Sequence, residues 1–178
     1  MRIIINLLFT SIGLIMTAQN NAKQFPEDFF GTYKGDLEIT NPQGKQTIQM
    51  EFHLRPTDIS GTYDYIIVYI VNGNRQERNY DLLEKDKAKG LYQVDENNGI
   101  FLDVKCINNT LFSMFEIQGN ILTTTERFYD DAMDFEITFA NKRNSNTSKT
   151  TDETPINVTS YPITVLQKGN LIKQKFQE

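Results

Sequence analysis

Arg78 and Glu126 are the two charged residues that the strand pattern turns toward the interior. A charge in a low-dielectric space needs a partner. The two can pair with each other, or Arg78 can receive the carboxylate of a bound acid, because its planar fork binds carboxylate bidentately. Glu126 beside a tyrosine is also a general acid–base arrangement. Either charge would face water after a one-residue slip in register. Tyr33, Tyr63, Tyr65, Tyr69, Tyr80 and Tyr92 fall on the same inward set. They would line a cavity for an amphipathic molecule. The competing reading is a filled core in which each hydroxyl reaches backbone or water. The expected ligand-binding set is therefore Arg78, Glu126 and these six tyrosines.

Other chemistry has thinner support. His53 is the only histidine, so sites needing two or three histidines are excluded. It alternates with Glu51 and Arg55 on a polar face and reads as solvated. Cys106 is the only cysteine, so no intrachain disulfide forms. In an apolar strand it reads as a small buried hydrophobe. Asp130, Asp131 and Asp134 do not match the spacing of a calcium loop, and turns favour aspartate for backbone reasons. No catalytic set, metal site or cofactor is expected.

The elements that position these residues are strands. Aromatic and β-branched runs alternate with Asn, Gly, Asp and Pro from Phe29 to Ala140. Short loops at Asn41–Gly44, Asn72–Asn74, Asn97–Gly99, Asn108–Asn109 and Gly119–Asn120 join antiparallel neighbours. Loop length sets register, and register sets faces. The first loop pairs Leu37 with Ile48 and Tyr33 with Phe52, which leaves Lys34, Asp36, Glu51 and His53 outside. The loop at Asn97–Gly99 pairs Val94 with Leu102 and Tyr92 with Val104. A turn at Asn108–Asn109 pairs Val104 with Ser113. A turn at Gly119–Asn120 pairs Ser113 with Glu126, placing Glu126 inside. Putting Glu77, Asn79 and Asp81 in water turns Arg78, Tyr80 and Leu82 inward. The tyrosine face of the Gly61–Val71 run then points inward too. That leaves Ile66, Val68 and Ile70 as an outward apolar patch needing cover, and a protein partner is one candidate.

The expected fold is all-β: an up-and-down meander closing into a barrel of about eight to ten strands, since closure removes exposed edges. Residues 29–140 form the meander, after a lead-in at 19–28. Residues 141–159 are polar without an apolar anchor and read as a flexible loop. Residues 160–178 read as a hairpin around Lys168-Gly169-Asn170 that closes the sheet. The opening strand, Phe30-Gly31-Thr32-Tyr33-Lys34-Gly35, resembles the Gly-x-aromatic first strand of calycin-type barrels, the lipocalins, fatty-acid-binding proteins and related heme barrels. The resemblance covers this one motif and implies a lipocalin-like barrel. Tyr33 stands where tryptophan is usual. The heme-carrying relatives would want a late histidine as axial ligand, and no histidine follows His53. No functional residue is carried over.

The N-terminus sets the compartment. Arg2 precedes the apolar stretch Ile3–Ile15 and then Met16-Thr17-Ala18, the shape of a secretory signal peptide (residues 1–18) cut near Ala18. The stretch is too short to span a bilayer. The expected localisation is exported, periplasmic or secreted. The formal charge of −5 becomes −6 with loss of Arg2 and argues against nucleic acid as partner. The first functional expectation is a non-catalytic binding barrel for a small apolar or amphipathic ligand, with Arg78 anchoring any anionic group. The second is an envelope interaction or structural module using Ile66, Val68 and Ile70. The third is a barrel lyase or isomerase using Glu126 and a tyrosine.

Overall fold

The computed structural model describes residues 23–175. The expected signal peptide lies outside the described residues, as does the lead-in before Lys23. A short 3-10 turn at Glu27–Phe29 precedes the first strand. The strands are β1 (Gly31–Asn41), β2 (Gly44–Pro56), β3 (Thr62–Val71), β4 (Asn74–Asp86), β5 (Leu91–Asp95), β6 (Phe101–Ile107), β7 (Thr110–Ile117), β8 (Asn120–Phe128), β9 (Ala132–Asn141), β10 (Asn146–Lys149), β11 (Asn157–Ser160) and β12 (Ile163–Lys173). Ten of them form one closed antiparallel barrel, with β12 between β9 and β1 and every other neighbour adjacent in sequence. β10 and β11 pair only with each other. No helix among the described residues is long and apolar enough to cross a membrane.

The turns explain the register. Asn72-Gly73, Asn108-Asn109 and Gln118-Gly119 each place two successive residues at positive φ. That is the type I′ pattern whose twist matches the flanking strands. The β1–β2 pairing of Leu37 with Ile48 and Tyr33 with Phe52 is as expected, as are Val94 with Leu102 and Tyr92 with Val104. The β7–β8 turn differs: it is Gln118-Gly119, so Ser113 pairs with Thr124 and Leu111 with Glu126. A type I′ turn prefers glycine second, so Gly119 takes the second place and Gln118 the first. The pairing shifts by two residues, one full side-chain period, so Glu126 stays inside.

Two features of the late segment correct the sequence reading. Residues 141–159 are not wholly a loop, because they hold the exposed β10 strand and most of β11. The expected hairpin around Lys168-Gly169-Asn170 is instead the middle of one strand, β12, which closes the barrel alone. Gly169 serves close approach rather than a turn. A Cβ there would stand 2.8 Å from the Asp36 carbonyl oxygen, and one on Gly35 would stand 2.5 Å from that of Asn170. The two glycines let β1 and β12 close tightly at the seam. Gly35→Ala is therefore expected to cost about 1–3 kcal/mol by overpacking. Urea unfolding of the variant would measure it, and an unchanged midpoint would contradict a tight seam.

Candidate functional site

The barrel interior divides into a filled half and a half-open one. The filled half lies where β1 begins. There Phe25 and Phe29, carried by the segment before β1, stack into the barrel end against Phe128. Phe128 also meets Tyr33 and Phe52, at ring-centroid distances of 5.8 and 5.9 Å. The rings at this end pack on one another, and beside them an open depression of about 600 Å³ lies between Gln24, Phe25, Tyr92 and Cys106. The Tyr33 hydroxyl donates to the Phe29 carbonyl at 2.6 Å, and the Tyr92 hydroxyl to that of Phe25 at 3.4 Å. The Tyr63 hydroxyl donates to Glu84 at 3.1 Å. Burial, with Glu84 adding to it, pushes Tyr63 up to about 12. These three expected ligand contacts are thus buried in the core, and Tyr33 and Tyr92 anchor the plug. Their hydroxyls are occupied by protein acceptors, as buried phenols require.

The other half lies toward the β3–β4 and β7–β8 turns. A cavity of about 150 Å³ opens there. Its walls include Ile67, Val94, Leu102, Val104, Phe115, Phe135 and Ile137. Tyr65, Tyr69 and Tyr80 line it too, together with Arg78, Glu96, Ser113, Thr124 and Glu126. The structure therefore brings together five of the eight expected residues: Arg78, Glu126, Tyr65, Tyr69 and Tyr80.

The two charges take different places. Glu126 is only 2% exposed. It sits between Leu111 of β7 and Phe135 of β9 in the sheet. Burial raises its pKa to about 7, against the lowering effect of hydrogen bonds from Tyr65 and Thr124. Tyr65, itself buried, is raised well above its ordinary value by burial first and by Glu126 second. Arg78 points inward from β4 but is exposed at the cavity's mouth, where Glu96 also lies. Among the described residues no ion pair joins Arg78 to Glu126. The pairing considered from sequence is not formed, because one residue lies in the interior and the other at the rim. Ser113, whose hydroxyl donates to the Asp103 carbonyl at 2.7 Å, is a lining residue the sequence reading left unassigned. So are Thr124 and Glu96. Strand parity with Glu126 was enough to find Thr124.

On the outer wall His53 is not simply solvated. Its ring is half-buried and its Nε2 lies 3.1 Å from Glu51 Oε2. Arg55 and Thr32 approach its Nδ1. Burial first, then Arg55, lowers its pKa. Arg75 grips Glu51 bidentately at 3.0 and 2.9 Å, and Lys34 adds a contact at 2.9 Å. These hydrogen bonds, Arg75 foremost, hold Glu51 at about 2 although burial opposes them. Because β3 lies between β2 and β4, the Arg75–Glu51 pair crosses over β3, where Val68 pairs with Glu51 and Ile70 with Arg75. Val68 is 1% exposed, and Ile66 and Ile70 are half-buried. The outward apolar patch expected from sequence is therefore largely covered. Asp134 accepts hydrogen bonds from Tyr129 and Asn170, and Asp130 pairs with Lys23. No group of three or more His, Cys, Asp or Glu side chains able to hold a metal occurs among the described residues.

Comparison with known proteins gives a fold relation. No family model matches the chain, and no curated protein matches it. Among solved structures the chain is similar to the S-type phycobiliprotein lyase CPES from Guillardia theta. The match has a TM-score of 0.57 and 7% sequence identity, over 85% of this chain and 91% of that one. At that identity the likeness is one of fold. The chain shares that fold: a closed, ten-stranded antiparallel barrel, with an aromatic plug at one end and a cavity toward the other.

Proposed function

We propose that this protein is an exported binding barrel that takes a small apolar or amphipathic molecule into the half-open end. The observation that carries the reading is the cavity itself. Apolar and phenolic walls surround a few converging polar groups, which is the usual composition of a ligand pocket. The packing of the other end supports it, since a protein interior is ordinarily filled to crystal-like density. The depression beside Phe25 and Tyr92 is open to solvent, whereas the space beside Glu126 lies within the barrel, where an occupant would be enclosed. A volume of about 150 Å³ suits a body the size of one aromatic ring, with any larger part of the molecule projecting past Arg78 and Glu96. The fold relation to a phycobiliprotein lyase is consistent with small-ligand binding and carries no substrate over. Export rests on the apolar leader after Arg2.

Titration with indole, followed by amide chemical shifts, tests the pocket. Val104, Ser113 and Thr124 are expected to shift while residues around Phe128 do not. Val104→Phe, which fills the cavity from β6, is expected to weaken binding by at least about tenfold. Uniform small shifts over the whole barrel would contradict the reading. Native purification from envelope and culture fluid tests the compartment by intact mass, which is expected to begin after Ala18. Organic extraction of the same sample identifies the occupant.

A further inference from the structure

We infer that the pocket selects a small amine, a basic nitrogen on a short apolar or aromatic body, by pairing it with the Glu126 carboxylate inside the barrel. The inference rests on the binding reading above and names the ligand class for that same cavity.

The geometry gives the pocket a direction. Glu126 is nine-tenths and more buried and lines the cavity, while the cation Arg78 is exposed at the rim. A ligand entering with a carboxylate first would bring a like charge to Glu126. Entering with an ammonium first, it supplies the partner that a buried carboxylate lacks. The walls agree. Tyr65, Tyr69, Tyr80, Phe115 and Phe135 present aromatic rings around the space. Such surfaces attract a cation and stack on an aromatic body.

Every charged or titratable group among the described lining residues fits this arrangement. From β3 come Tyr65 and Tyr69, and from β4 Tyr80 and Arg78. The β5–β6 loop contributes Glu96, beside Arg78 at the rim. β7 and β8 contribute the uncharged hydroxyls of Ser113 and Thr124, and β9 faces Glu126 with Phe135. Among the described residues no lysine or histidine lines the space, and Arg78 stands at the rim, so a ligand ammonium supplies the opposite charge for Glu126. The phenols stay neutral: burial first raises Tyr69 to about 12 and also raises Tyr80. Burial brings the titration of Glu126, raised to about 7, to neutral pH. Amine binding requires its ionised form. Affinity therefore rises as pH passes upward through about 7, and binding releases a proton.

The test is calorimetric titration of the full mature chain with phenethylamine, phenylethanol and phenylpropionate, which share a body and differ in head group. Phenethylamine is expected to bind at least about tenfold more tightly than phenylethanol at pH 8, and about tenfold more weakly at pH 6 than at pH 8. Glu126→Gln is expected to remove both the preference for the amine over the alcohol and the pH dependence. The wild-type panel stands without that variant, should it fold poorly. Equal binding of amine and alcohol would overturn the inference, and so would tightest binding of phenylpropionate, with the pocket itself upheld in each case. If none of the three binds while indole still does, the amine selectivity falls alone. If indole fails as well, the binding reading falls with it.

Discussion

Glu126→Gln is expected to stabilise the protein by about 3 kcal/mol at pH 8 and to change it little at pH 4. The folded pKa of Glu126 is raised from 4.5 to about 7 by burial. A raised carboxyl pKa means that the folded state holds the proton more tightly than the unfolded chain. The resulting stability is fully present below pH 4.5 and is lost as pH rises through about 7. A shift of that size corresponds to about 3 kcal/mol, and glutamine keeps the neutral form at every pH. Glu51 has the opposite sign. Arg75 and its other partners hold it at about 2, so its contribution is present above pH 4.5 and lost as pH falls toward 2. Half-exposed Arg75 and Lys34 are screened by solvent, which reduces that contribution. His53, with its pKa lowered, adds stability above its ordinary value that is lost on acidification. The curves for Glu51 and His53 are common to both proteins. Urea unfolding of wild type and variant across pH therefore isolates Glu126 as a difference. Parallel pH profiles would mean that Glu126 is hydrated, and the amine-selective pocket would lose its central group.

Phe128→Ala is expected to cost about 3–5 kcal/mol, a large share of the about 5–15 kcal/mol that holds an ordinary domain folded. Phe128 is 3% exposed and stacks with Phe25 at 5.3 Å and Phe29 at 5.8 Å, besides Tyr33 and Phe52. It joins the segment before β1 to the barrel wall, so truncation leaves a void and releases the plug together. Phe115→Ala is the control from the hollow end. Its half-exposed ring already borders open space, so it has fewer packing partners to lose. Less than half of the Phe128 cost is expected there, by the same urea midpoint. Equal costs at the two positions would contradict a barrel that is dense at one end and hollow at the other.

Parity was legible without coordinates. Alternation along β4 turned Arg78 and Tyr80 inward, a two-residue turn within Asn72–Asn74 then turned Tyr65 inward, and the pairing of Tyr65 with Tyr80 agrees. The placement of Glu126 survived a wrong turn because the error was a whole side-chain period. Depth was not legible. Arg78 and Glu126 have the same inward parity, yet one is at the rim and the other inside the barrel, since depth depends on where each strand sits along the barrel axis. The tyrosines show the same limit. Tyr33 and Tyr92 became core because the Phe25–Phe29 segment folds into their end, and Tyr63 because it packs on Phe30 and bonds Glu84; no period in the sequence announces a plug.

Local patterns thus determined that the chain is a meander of strands, which side chains of most strands look inward, and that one acid and several phenols share an interior. These follow from short-range sterics, the two-residue strand period and the φ demands of tight turns, all written in neighbouring residues. Tertiary structure decided that β12 closes the barrel as one strand through Gly169, that Arg75 spans β3 to reach Glu51, and that empty space lies beside Glu126 while the far end is filled. Each of these depends on residues far apart in the chain meeting across a closed surface. That is a matter of total volume and strand stagger, which no local window contains.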